Sequence, residues 1–248
     1  MRIEQLKISG SVKFFKDKLQ DKYGLKEFTD SSKPVVLYGM YKPEDFALYL
    51  TVKSVVVWCG TDARILNNER VNIINSRPAI QYAKSQDIYN TLKRFGIKST
   101  RLAISPTKAD IEPQPLGSCV YAYIGNKSPG MERKYKVGLL RRIEKAIPYK
   151  FLYATYGKYN REELMDIYKR CFVGVRLLDH DGLSNSIIEM GLMGRKTISN
   201  GGLPCTIKWH KGNDVIAAIL NHDKAPEGIT INKAYKDLLN ISDSWLHL

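Results

Sequence analysis

Short runs of β-branched and apolar residues alternate along the chain with longer stretches whose apolar residues recur at helical spacing. This alternation constrains the fold more than any other feature. Strands that must be covered on both faces, and helices that must bury one face, satisfy each other in parallel α/β layers. In the first part, strands are expected near 2–8, 35–38, 54–58, 71–74 and 100–104, and helices near 11–23, 43–51 and 85–95. Pro106, Pro113, Pro115 and Gly117 then mark 106–118 as a linker or crossover. The alternation resumes with strands at 119–124, 150–154, 171–178 and 196–199 and a short one near 206–209. Helices are expected at 131–146, 161–169, 184–193, 214–220 and 232–239, the second opening after Asn160, a good N-cap. The economical account is α/β: two open, Rossmann-like parallel-sheet domains, 1–105 and 119–222. The C-terminal segment 223–248 is expected to be helical and to pack back on the first domain.

Composition adds bounds. Of 248 residues, 44% are hydrophobic and 26% charged, enough to bury a core. No apolar run approaches the ~18 residues that cross a bilayer. The start, M-R-I-E-Q-L-K-I-S, lacks the apolar stretch of a secretory signal, so a soluble cytoplasmic protein is expected. The net charge is +14, with 18 basic and 10 acidic residues before position 105 and 21 and 15 after it. A balance of this kind favours anionic partners such as nucleotides, nucleic acid or an acidic membrane surface. The plain alternative is a composition habit of the source. Cys59, Cys119, Cys171 and Cys205 form no C-x-x-C, and three adjoin apolar runs, so free buried thiols are expected. His180, His210, His222 and His247 show no ligand spacing, and no metal site is expected.

The informative run begins at Arg161: R-E-E-L-M-D-I-Y-K-R-C-F-V-G-V-R-L-L-D-H-D-G-L-S-N-S-I-I-E-M-G-L-M-G-R-K-T-I-S-N-G-G-L-P. It reads as helix, strand, glycine turn, helix, strand and glycine-rich loop. Asp181 falls in the loop at the carboxyl end of a strand, the edge where open parallel sheets bind ligands. Gly182, Leu183 and Ser184 can offer backbone N–H groups to a phosphate at a helix start. Glu189, eight residues after Asp181, lies about a turn and a half into that helix and could accept from a vicinal diol such as a ribose.

This run resembles the donor-binding half of GT-B glycosyltransferases, in particular the family-four type of retaining enzyme. That pattern is E-G-F-G-x-x-x-x-E-A-x-A-x-G-x-P-V-I followed by G-G-x-P. Asp181 takes the first acid position, Glu189 the second, Gly194 the glycine after the helix, and Gly201-Gly202-Leu203-Pro204 the final loop. Asp181 is one methylene shorter than the usual Glu. The basic pair expected after the first strand of this domain is represented by Lys127, Arg133 and Lys134, of which one or two would neutralise a donor diphosphate. In the first domain, Trp58-Cys59-Gly60-Thr61-Asp62 resembles a W-x-G-T/S-D segment of such enzymes. By that resemblance Thr61 and Asp62 would face the cleft and touch acceptor or donor sugar, Asp62 joining Asp181 as a catalytic residue; Gly39, in the loop after an earlier strand, is a further candidate contact, and the plain reading of Asp62 is a helix cap. No histidine precedes His180, although a histidine is common in the acceptor-side loop of related enzymes.

The resemblance implies two domains facing a cleft and transfer of a sugar from a nucleotide-diphosphate donor to a hydroxyl acceptor. Retention of configuration, no cofactor and no divalent metal are implied with it. The acceptor stays open among glycan, lipid-linked, protein and DNA. Base specificity is expected around Tyr153 to Tyr159. Residues 11–23 form a basic amphipathic stretch that could rest on an acidic membrane, or simply pack on its own sheet. A rival reading is a basic nucleic-acid-binding module with a decayed sugar-nucleotide site; a transferase acting on DNA bases lies between the two. No G-x-x-x-x-G-K-[ST] loop and no G-x-G-x-x-G after a strand occurs.

Overall fold

Val35–Tyr38 and Ser54–Trp58 are buried at every position, as strands covered on both faces require. They sit at the centre of the first of two sheets in a computed structural model that describes residues 1–126, 128–179, 181–221 and 227–248. The chain divides into two units, Met1–Lys108 with Leu239–Leu248, and Ala109–Leu238.

The first unit holds six parallel strands: β1 (Gln5–Ile8), β2 (Lys26–Glu27), β3 (Val35–Tyr38), β4 (Ser54–Trp58), β5 (Ile80–Ala83) and β6 (Thr100–Arg101). Their order is β2-β1-β3-β4-β5-β6. Helices α1 (Lys16–Tyr23), α2 (Pro43–Thr51), α3 (Thr61–Arg64), α4 (Asn68–Asn75) and α5 (Gln86–Arg94) connect them. One face buries Leu37, Val56, Phe46, Tyr49, Ile74 and Leu92. The other buries Leu6, Val36, Val57, Leu19 and Tyr23 together with Trp245 and Leu246 from the chain's end. Trp245 stands edge-on to Tyr23 with centroids 5.2 Å apart.

Two expectations are corrected here. Residues 71–74 are not a strand but part of α4, because the Asn67 side chain accepts from Arg70 N–H and opens a helix. The strand lies at Ile80–Ala83 instead. The 11–23 stretch begins as a 3-10 turn, Gly10–Phe15, and turns Val12, Leu19 and Tyr23 inward while Phe14 stays exposed.

The second unit holds β7 (Cys119–Tyr123), β8 (Phe151–Ala154), β9 (Cys171–Arg176), β10 (Lys196–Ser199) and β11 (Thr206–Ile207), all parallel, in the order β11-β10-β9-β7-β8. Helices α6 (Pro129–Lys134), α7 (Val137–Ala146), α8 (Arg161–Lys169), α9 (Asn185–Leu192), α10 (Gly212–Leu220) and α11 (Gly228–Leu239) surround it. The single helix expected at 131–146 is two, α6 and α7, separated by Tyr135 and by Lys136 in the left-handed region at φ 51°. The break lets Tyr135 turn inward against Tyr123, 5.2 Å away between centroids. Segment 106–118 is held at both ends: Lys22 donates to the Ser105 and Thr107 carbonyls, and buried Arg195 donates to those of Gln114 and Pro115. Among the described residues no helix is long and apolar enough to cross a membrane.

The chain enters the second sheet at β7, moves outward to β8, then returns to β9 on β7's other side. The carboxyl ends of β7 and β9 therefore flank a topological switch point, where open sheets leave a crevice for ligands.

Candidate functional site

Arg176 is the last residue of β9, at the strand end that borders that crevice. Its Nε donates to the Asp181 carboxylate five residues on, and both side chains are largely buried. The guanidinium lies over the rings of Tyr123 and Tyr135, 5.0 and 5.3 Å from their centroids, and is bonded to the Tyr135 hydroxyl. Burial alone would pull the arginine's pKa down; the Asp181 and Tyr135 partners outweigh it and hold the group charged. Asp181 is thus an oriented carboxylate with a fixed counter-charge.

Gly201 lies against Asp181 and Gly182. A Cβ added there would stand 3.3 Å from the Asp181 Cβ and 3.4 Å from the Gly182 carbonyl oxygen. The glycine-rich loop after β10 is thereby brought onto the loop after β9, and exposed Gly202 follows at φ 67°. Helix α9 starts directly after Ser184, whose hydroxyl does not cap the helix but lies 3.1 Å from that of Ser186. The structure therefore gathers Asp181, Gly182, Leu183, Ser184 and Gly201 at one sheet edge, beside the open end of a helix dipole.

Glu189 is less open. It is buried on the second turn of α9, hydrogen-bonded to the Tyr168 hydroxyl, which is bonded in turn to Tyr121. Desolvation pushes both tyrosines upward, so they remain neutral donors. A ribose contact by Glu189 would share the carboxylate with Tyr168.

The expected cations separate. Lys127 lies outside the described residues. Arg133 and Lys134 are exposed at the end of α6. Lys136, which the sequence reading passed over, holds the N-cap of α7 and pairs with Asp179 at 2.9 Å. Its ammonium also lies 5.6 Å from the Trp209 ring centre. Arg176 and Tyr135 were passed over as well; an arginine ending an otherwise apolar strand was the available signal, since a buried charge requires a partner.

In the first unit, Gly39 follows β3 at φ 84°, covered by the Tyr41 ring, which a Cβ would meet at 2.8 Å. Asp62 is fully buried and accepts from the amides of Met40, Cys59, Gly60 and Ala63 at 2.7–3.2 Å. Burial raises its pKa while these amides oppose the shift. These amides occupy its acceptor sites and tie the loop after β3 to the loop after β4. Thr61 beside it is exposed. Lys84, just after β5, is a further buried amine, donating to the Tyr38 hydroxyl with its Nζ 5.5 Å from the Phe15 ring centroid.

No family model matches the chain, and no curated protein matches it. Among solved structures it is similar to sucrose-phosphate synthase from Thermosynechococcus elongatus, at TM-score 0.60 and 12% identity, over 92% of this chain and 72% of that one. It is similar to TarM at TM-score 0.59 and 10% identity, over 88% of this chain but 53% of TarM. A third likeness is to the N-terminal domain of Candida albicans trehalose-6-phosphate phosphatase, at TM-score 0.57 and 9% identity, covering 95% and 72%. The two parallel Rossmann-like sheets, of six and five strands, match GT-B structures. At these identities the likeness is one of fold.

Proposed function

We propose that the chain transfers a glycosyl group from a nucleoside-diphosphate donor to a hydroxyl acceptor, with the donor held by the second unit. The observation that carries this reading is the Arg176–Asp181 pair at the switch point, with Gly201 packed against Asp181 and the start of α9 close behind in the chain. A departing diphosphate gathers negative charge, and groups already aimed at it lower the barrier without reorganisation. The amides at the start of α9, with Lys136, Arg133 and Lys134, supply that field. Asp181, neutralised and oriented by Arg176, faces the sugar, where a carboxylate stabilises the positive charge developing at the anomeric carbon. Glu189 holds the ribose. The resemblance to family-four enzymes implies retention of configuration.

The test is a thermal-shift panel of UDP, GDP, ADP, CDP and dTDP in EDTA. A ligand at ~100-fold over its Kd adds about 2.7 kcal/mol, roughly 2–4 °C per kcal/mol for a chain of this size. One nucleotide is expected to raise the midpoint, Glu189→Ala to abolish the rise, and Asp181→Ala to keep it while turnover falls. No rise with any nucleotide overturns the reading.

A further inference from the structure

Between Arg133 and Lys150 the chain carries seven Lys and Arg against one acid, Glu144. Helix α7 sorts them. Val137, Leu140 and Ile143 are buried against the sheet, while Leu139 packs on Gly212 of α10. That leaves Gly138, Arg141, Arg142, Lys145 and Ala146 as the exposed stripe, at the spacing of one helical face. Among the described residues, none of Arg141, Arg142 and Lys145 has a carboxylate within ion-pair distance. Glu144 does not neutralise them, because its two oxygens accept from the Phe151 amide at 3.2 Å and the Tyr153 hydroxyl at 2.8 Å.

Beside the stripe lies a cavity of about 460 Å³, lined by Ile124, Val137, Arg141, Glu144, Lys145 and Tyr153. It lies between α7 and β8, which is the edge strand of its sheet. Its walls are aliphatic and aromatic and its rim is cationic. Each Glu144 oxygen keeps a second lone-pair site for a donor.

From this juxtaposition we propose that the outer face of α7 binds single-stranded nucleic acid, phosphates along Arg141, Arg142 and Lys145, and one base in the adjoining cavity against Tyr153. The cationic stripe alone fits any polyanion; the cavity is what selects. It has room for an unstacked base, which a duplex does not offer. A lipid surface fits less well, because the stripe's uncharged members are Gly138 and Ala146, and neither has a long apolar side chain to insert. A carboxylate accepts from the amino group of cytosine and has nothing to accept from thymine outside its ring N–H, so amino-bearing bases are preferred. This inference does not rest on glycosyl transfer.

The experiment is fluorescence anisotropy of the intact chain with fluorescein-labelled (dC)20 and (dT)20 across a salt series. Each phosphate neutralised on a single strand contributes a slope of about −0.7 in log K against log salt. Arg141→Ala/Arg142→Ala/Lys145→Ala is expected to reduce the slope by about 2 with an unchanged thermal midpoint, since all three side chains are exposed. (dC)20 is expected to bind about tenfold more tightly than (dT)20. Glu144→Gln is expected to keep the salt slope and lose that preference. An unaltered slope in the triple variant overturns the proposal. So does full displacement of (dC)20 by a stoichiometric nucleoside diphosphate, which would assign the cavity to a mononucleotide. Equal affinity for phosphatidylglycerol vesicles, or for polyglutamate at matched charge, overturns it as well. Failure of the nucleotide thermal-shift panel leaves these readings untouched.

Discussion

Arg176 and Asp181 form an ion pair across the turn that ends β9, with the guanidinium held over two tyrosine rings. The pair gives the second sheet's crevice a carboxylate whose charge and orientation are set before any ligand arrives. Breaking it from one side is therefore costly. Arg176→Gln is expected to lower unfolding stability by about 3–5 kcal/mol, because a buried carboxylate then lacks its partner. The double variant Arg176→Met/Asp181→Leu is expected to recover most of that loss. Urea unfolding of the cycle decides; additive single losses would show that the two residues act independently.

Lys84 predicts a pH dependence. Burial lowers its pKa, and its ammonium has the Tyr38 hydroxyl as its hydrogen-bond acceptor. The unfolded chain, with a lysine near pKa 10.4, then binds the proton more tightly than the folded one. Stability contributed by this residue is present above about pH 10.4 and is lost as pH falls toward the depressed folded value. The slope is at most about 1.4 kcal/mol per pH unit. Burial raises the pKa of neighbouring Cys59 and Tyr38, which act in the opposite sense, so the informative quantity is the difference between wild type and Lys84→Met. That difference should shift in favour of wild type as pH rises through the alkaline range. A flat difference would mean that the ammonium remains charged in place.

Lys136 separates stability from ligand binding. It holds φ 51° and ψ 44°, a conformation that costs a side-chain-bearing residue about 1–2 kcal/mol. Its pairing with largely exposed Asp179 returns at most about 1 kcal/mol. Lys136→Gly is expected to leave stability unchanged or raise it by up to about 1 kcal/mol, while the nucleotide-induced thermal shift falls. Loss of both together would assign Lys136 a purely structural task.

The four cysteines should differ sharply in reactivity. Cys205 is exposed and holds φ 55°, whereas Cys119 and Cys171 are buried. Burial pushes the Cys171 thiol up to about 12 and raises Cys59 too. A disulfide reagent on the native chain is expected to titrate one thiol promptly and the other three only after denaturation. Cys205→Gly should remove the prompt thiol and, by relieving the left-handed backbone, add up to about 1 kcal/mol.

Much of the chain's local order was legible. Asn160 and Glu163 form a capping box, each side chain bonded to the other's backbone N–H, and α8 begins where those two residues say it should. The Asp181-to-Glu189 spacing likewise set a loop and a helix in their observed order. Residues 71–74 failed because a β-branched run reads as strand until the Asn67 cap is weighed against it. Lys136 failed for another reason: the pattern from 131 to 146 is helical on both sides of a break made by one left-handed residue.

Asp62 and Asp181 mark the limit. Each lies after a strand, within two residues of a glycine and near a helix start, and in sequence they look alike. The alternation of apolar runs determined that both would stand at the carboxyl edge of a parallel sheet, since strand and helix periods are encoded within a few residues. What each carboxylate meets there came only with the tertiary structure. Asp62 is desolvated by burial and held by amides that include Met40, carried over from the neighbouring strand's loop. Asp181 is neutralised by an arginine that lies over Tyr123, at the end of β7, and Tyr135, in the connection after it. Desolvation and charge pairing depend on which strands become neighbours, and strand order is a property of the whole fold rather than of any stretch of chain.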